Sequence, residues 1–164
     1  MAQITNYVCV VGGAHLDIEG RVPGSLLLAD SNLGTVIRSP GGVGRNLAEN
    51  LTRLDTPTRL ITALGRDDNR TSLPDPTAKS GVDLTDSVWS ESAPTATYLS
   101  VIDGSGEMAV AVNDMAIMDS LDVAALQARS NTLENAAAVV VDCNLASECI
   151  GHIATTSANR PLFV

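Results

Sequence analysis

The stretch "SPGGVGRNLAENL" (39–51) decides how this chain folds. Gly41, Gly42 and Gly44 crowd together ahead of Leu47, Leu51 and Leu54, which recur at helical spacing until Pro57 forbids continuation. Glycines admit positive φ and let a ligand approach the backbone with no Cβ in the way. The helix that follows presents unpaired N–H groups and the positive end of its dipole, suited to an anion or a hydroxyl. Asn46, in the first turn, adds a donor and an acceptor. Taken alone, the pattern fits a plain turn before a helix equally well.

Upstream, "NYVCVVGGAHLDIEGRV" (6–22) opens with a continuous aliphatic strand, Val8 to Val11, and breaks at Gly12 and Gly13. Beyond the break Leu16, Ile18, Gly20 and Val22 alternate with Asp17, Glu19 and Arg21, the signature of a strand with one wet face. "GTVIRS" (34–39) reads as a second such strand, and "ATYLSVIDGSGEMAVAVND" (96–114) as a hairpin turning at 103–106. Elements of another kind lie between and after them. "TRLITALG" (58–65) is expected to be one buried strand, 121–136 one helix capped by Ser120, and "AAVVVDCNL" (137–145) a further buried strand. A helix over 146–158 and the start of a strand at "RPLFV" (160–164) complete an alternation that implies an α/β domain with a parallel sheet. Pro74 and Pro76 interrupt 66–83, which is expected to be irregular. An aliphatic strand at the last residue has no helix after it to cover it, so the sequence reads as part of a longer protein.

With 164 residues, one domain is expected. Apolar residues make up 45% but aromatics only 2%, so the core must be built from Ala, Val, Leu and Ile, as suits strands sandwiched between helices. A formal charge of −9 argues against nucleic acid or an anionic membrane as partner and favours a small molecule. No apolar stretch reaches the ~18 residues of a membrane span. Cys9, Cys143 and Cys149 form no C-x-x-C pair and fit a reducing cytoplasm, with Cys9 and Cys143 expected as small buried hydrophobes. His15 and His152, the only two histidines, leave no credible zinc cluster.

"GGVGRN" is not a Walker loop, because no Gly-Lys-Ser/Thr follows. It also lacks the third glycine of the dinucleotide fingerprint, which disfavours an oxidoreductase domain. Asp17 lies just past the strand end at Gly12 and Gly13, where ligands gather beyond the carboxyl ends of open α/β sheets. Its carboxylate can accept hydrogen bonds from vicinal hydroxyls, though a solvated strand aspartate explains it as well.

"VVGGAHLDIEG", "SPGGVGRNLAENLTRL", "LITALGRDD", "SGVDLTDS" and "DCNL", in this order and at these spacings, resemble the amino-terminal half of the ribokinase-like sugar kinases, the phosphofructokinase B group. "DSNLGTVIRSPGGVGRNLAENLTRL" and "NDMAIMD" are similar to its pseudouridine kinase branch. The resemblance implies a three-layer α/β fold with a small β-sheet lid, incomplete at the C-terminal end. One sugar-kinase domain would take up 1–164, with lid strands at about 16–22, 34–39, 97–103 and 107–112. It implies sugar hydroxyls bound by Asp17, Asn46 and the backbone of Gly41 and Gly42, with Asn144 at a strand end facing the substrate. Ser31, Asn32 and Asn113 are expected near the base, and His15 stands where many relatives carry an asparagine.

The activity implied is transfer of the γ-phosphate of ATP, with Mg²⁺, to the 5′-hydroxyl of a ribosyl nucleoside such as pseudouridine. Ribose and other nucleosides are the alternatives within the group. The family's catalytic base and anion hole come from a Gly-Ala-Gly-Asp segment that this sequence lacks. "DGSGE" (103–107) has the residue types, but in a hairpin turn. The chain alone is therefore expected to be inactive, with no catalytic residue and no tightly bound cofactor of its own. A non-catalytic binding module is the rival, since lids of this group pair between subunits and residues 97–112 offer apolar faces for a homodimer.

Overall fold

A computed structural model describes residues 6–164, with only the backbone at residue 70. In chain order it contains β1 (Val8–Val11), β2 (His15–Arg21), β3 (Thr35–Gly41), α1 (Val43–Arg53), β4 (Thr58–Ile61), β5 (Ala63–Gly65), α2 (Pro74–Lys79), β6 (Val88–Ser90), β7 (Thr97–Ile102), β8 (Met108–Asp114), α3 (Val123–Gln127), α4 (Ser130–Asn135), β9 (Ala138–Val141), α5 (Ser147–Thr156) and β10 (Leu162–Phe163). No helix among the described residues is long and apolar enough to cross a membrane.

The aliphatic strands form an all-parallel sheet in the order β10-β9-β1-β4. Alternation sends its side chains to two helical layers. Cys9, Val11, Ile61, Val139 and Val141 pack with Leu126, Leu133, Cys149 and Ile153 of α3, α4 and α5. Val10 and Leu60 pack on the other face with Ala48 of α1. Both faces are covered, as parallel sheets require.

The alternating strands form a second sheet in the order β3-β2-β7-β8. Ser39, Asp17, Tyr98 and Asn113 are successive cross-strand partners in one row. Adjacent residues point to opposite faces, so the face opposite that row carries Val36, Leu99, Val110 and Val112. Those four are 68%, 41%, 50% and 63% exposed, so much of that face stays open to solvent beside the loop of residues 26–32. β3 runs through Pro40 and Gly41, two residues past the end expected from sequence, and so delivers its last glycine directly to α1.

Several expectations need correction. The stretch 58–65 is two strands: β4 joins the parallel sheet, whereas β5 leaves it after Thr62 to pair with β6, which sequence reading missed. Residues 66–83 are not irregular throughout. A 3₁₀ turn covers Asp68–Thr71, and Pro74 starts α2, where its missing N–H costs nothing. The helix expected over 121–136 is split into α3 and α4. Arg129 folds back over the break, donating from Nη1 to the Ala125 carbonyl at 2.8 Å and from Nη2 to the Ser87 carbonyl at 3.2 Å. The α3 cap is Asp122, which accepts from Ala125 N–H at 2.7 Å, while the Ser120 hydroxyl donates to the Ile117 carbonyl. β9 stops at Val141, and Asp142 turns the chain. Cys143 is exposed and the third thiol, Cys149, is buried. Burial, with the negative charge of Asp86 adding to it, pushes the Cys9 thiol up to about 12.

Gly151 sits exposed in α5, and a Cβ built there meets nothing within 4 Å. Gly151→Ala is therefore expected to stabilise the chain by about 0.5–1 kcal/mol through helix propensity and unfolded-state entropy. A thermal melt should show a rise of roughly 1–4 °C, and a fall would mean that α5 is not helical there.

Candidate functional site

The ends of β1 and β9, the start of α1 and the base of the second sheet converge. Gly42, the residue that caps α1, has φ +99° and no side chain to offer, and a Cβ on it would lie 2.4 Å from the Gly13 carbonyl oxygen. Glycine is required there both by the dihedral and by the close approach. Arg45 N–H donates to that same carbonyl at 3.1 Å, which ties the first turn of α1 to the turn after β1.

A cavity of about 510 Å³ opens at this junction, lined by His15, Gly42, Tyr98, Asn113, Asp142 and Asn144 among others. Met115 and Met118 add apolar wall. Asp17 lines a neighbouring hollow of about 370 Å³ on the polar face of the second sheet, and Tyr98 borders both. The Asp17 carboxylate lies against Gly41, two residues before α1 begins: a Cβ on Gly41 would come within 2.1 Å of its Oδ2. Its Oδ1 is 3.0 Å from His15 Nε2, two residues back on the same strand face.

Of the residues singled out from sequence, His15, Asp17, Gly41, Gly42, Asn113 and Asn144 come together here. Asn46 lies one turn into α1, on the same face as Val43, which lines the cavity. Ser31 is apart. Its loop packs over the opposite, apolar face of the second sheet, where Asn32 ties the loop to itself by accepting from Leu27 N–H and donating to the Leu27 carbonyl, each at 2.8 Å.

Sequence reasoning missed Asp142 and Tyr98. Asp142 is buried, with Oδ2 accepting from Gly13 N–H at 3.1 Å and Oδ1 accepting from Asn144 N–H at 3.0 Å and Asn144 Nδ2 at 2.8 Å. The signal was present, since it is a carboxylate placed where an aliphatic parallel strand ends. Tyr98 was visible only as one polar position of an alternating strand.

The walls supply carboxylates at Asp119 and Asp142, with Asp17 beside them, and one imidazole, and no Lys or Arg side chain among the described residues lines this cavity. Such a lining disfavours a phosphorylated or otherwise anionic ligand and suits a neutral molecule rich in hydroxyl donors. No group of three or more His, Cys, Asp or Glu side chains that could hold a metal ion occurs among the described residues.

Comparison with known proteins agrees with this architecture. The chain is 38% identical over 159 residues to pseudouridine kinase of Escherichia coli (strain K12), covering 97% of this chain and 51% of that protein. It is 26% identical over 140 residues to guanosine-inosine kinase of Exiguobacterium acetylicum, covering 85% of this chain and 46% of that one. Among solved structures, a carbohydrate kinase from Agrobacterium tumefaciens superposes with a TM-score of 0.85 at 26% identity, over 96% of this chain and 52% of that one. Ribokinase from Giardia lamblia shares the fold at a TM-score of 0.79 and 18% identity, over 96% of this chain and 54% of that one, so the fold is ribokinase-like. The chain thus spans about half the length of the relatives it matches. The pfkB family carbohydrate kinase profile matches residues 5–158, and the chain belongs to that family.

Proposed function

We propose that this chain is the substrate-binding portion of an ATP-dependent kinase that phosphorylates the 5′-hydroxyl of a ribosyl nucleoside, with pseudouridine as the substrate. The observation that carries this reading is the packing of the Asp17 carboxylate against Gly41, next to the N-terminus of α1 and beside the cavity. A carboxylate accepts from two vicinal hydroxyls while helix N–H groups donate to their oxygens, an arrangement that a ribose ring satisfies. The 38% identity to the Escherichia coli pseudouridine kinase supports pseudouridine over ribose, and the guanosine-inosine kinase relative keeps other nucleosides as the alternative.

In this reading the parent's donor is ATP with Mg²⁺, and the transferred phosphoryl group passes to the 5′-oxygen as its proton leaves to a base. The sequence holds no Gly-Ala-Gly-Asp segment to supply that base. This chain's own part is therefore to bind and orient the acceptor. Its free thiols fit a reducing cytoplasm. Titration calorimetry of the chain with pseudouridine and with ribose tests the assignment. Pseudouridine is expected to bind more tightly, and no ATP should be consumed. Heat from neither ligand overturns the sugar site, and turnover by this chain overturns the division of labour.

The second sheet would also serve as a lid that pairs with a second copy. What supports this is the exposure of the apolar side chains Val36, Leu99, Val110 and Val112 on that face. Val112→Glu should convert a dimer to a monomer in analytical ultracentrifugation. A wild-type chain that is monomeric at every concentration tested removes the dimer from the proposal.

A further inference from the structure

Arg45 and Asp142 are the buried charged side chains among the described residues, at 8% and 5% exposure. Asp142 lines the cavity and Arg45 lies beside Asn46 in the first turn of α1, and each grips an asparagine. A buried charge is costly unless paired and hydrogen-bonded, so its partners are held firmly. The Arg45 guanidinium is anchored by Glu49 through Nη1 and donates from Nη2 to Asn46 Oδ1 at 2.7 Å. Asp142 does the reverse, accepting from Asn144 Nδ2 at 2.8 Å while Gly13 N–H donates to its other oxygen. An amide side chain carries an acceptor at one end and two donors at the other. With its oxygen held, Asn46 has its NH₂ left to offer; with its nitrogen held, Asn144 has its carbonyl.

The geometry points to Arg45 and Asp142 as positioning residues that give these two amides opposite hydrogen-bonding sense, Asn46 donating to the ligand and Asn144 accepting from it. The inference rests on the nucleoside-site reading above and deepens it. The ligand is then one that places a hydroxyl or carbonyl oxygen at the start of α1 and an O–H or N–H donor over the end of β9. Neither charged residue need touch the ligand itself.

Double-mutant cycles read by calorimetry with pseudouridine test this. Arg45→Met is expected to weaken binding about tenfold in the wild-type background, the worth of one well-oriented hydrogen bond, and less than about twofold in Asn46→Ala. Asp142→Asn should behave likewise against Asn144→Ala. Arg45→Lys, which keeps a donor, should recover part of the loss. Asn46→Asp keeps the oxygen that Arg45 holds but deletes the NH₂, so it should bind as weakly as Asn46→Ala. Additive losses in the cycles, or an Asn46→Asp variant that binds at wild-type strength, overturn the inference while leaving the sugar site intact. If Asn46→Ala and Asn144→Ala both bind unchanged, the site reading falls and the inference with it. Should Arg45→Met fail to melt cooperatively, the exposed Asn46→Asp substitution still decides the sense of that amide.

Discussion

Replacing Asp17 by alanine will weaken pseudouridine binding by about a hundredfold, the loss of two hydrogen bonds to a charged acceptor at ~1.5 kcal/mol each. The fold should hardly notice. The Asp17 side chain is 38% exposed and its partner among the described residues is His15, with Nε2 3.0 Å from Oδ1, a contact worth little to stability. Its melting temperature should stay within about 2 °C of wild type, because the exposed pair contributes well under 1 kcal/mol. Asp17→Asn, which keeps the shape and one acceptor but loses the charge, should fall between, at about tenfold. Calorimetric titration and a thermal melt on the same samples separate the two effects. Loss of affinity with loss of fold would make Asp17 a structural residue, and a change below about threefold would remove it from the site, since a single neutral hydrogen bond already accounts for more.

The division of the chain into two sheet types was legible because periodicity is a direct print of burial. Val8 to Val11 run without a polar residue because both faces of β1 are covered, whereas 15–21 alternate because β2 has one polar face and one apolar face. The clustering of Asp17 with Gly41 was readable from the glycine pattern together with a resemblance, not from spacing alone. What stayed hidden depended on tertiary partners. Nothing local says that β5 must leave the parallel sheet; that is set by pairing with β6 and by Thr95, whose backbone nitrogen would stand 2.5 Å from a Cβ on Gly65. The split between α3 and α4 depends on Arg129 reaching carbonyls of Asp86 and Ser87, more than forty residues away in sequence. Asp142 was missed although its place at a strand end was visible, because its Gly13 partner reaches it only when β1 and β9 pair. Ser31 was expected at the site only through the resemblance of its DSNLG stretch, yet its loop folds onto the far face of the sheet.

Gly44 is where fold and site depend on the same small space, and Gly44→Ala will cost both. A Cβ there would stand 2.7 Å from the Gly12 carbonyl carbon, 2.8 Å from Gly12 Cα and 3.0 Å from Gly13 N. All three are backbone atoms, so no rotamer change relieves the contact, and α1 must move off the end of β1. Helix propensity pulls the other way by about 1 kcal/mol, but overpacking a closed junction costs roughly 1–3 kcal/mol and more when only backbone can yield. The net expectation for alanine is a loss of about 1–2 kcal/mol, seen as a melting temperature lower by roughly 3–8 °C, with valine worse. Affinity should fall further than stability. Gly42 and Val43 line the cavity on this same first turn, and a displacement of about 1 Å separates the helix N–H groups from the Asp17 carboxylate with which they share a ligand in the proposed site. Gly151→Ala is the internal control, a glycine of another helix with open space around it and the opposite sign of effect. If Gly44→Ala melts at or above wild type, the start of α1 does not rest on the end of β1, and the junction that brings Asp17, Gly42 and Asn144 together is not built as described.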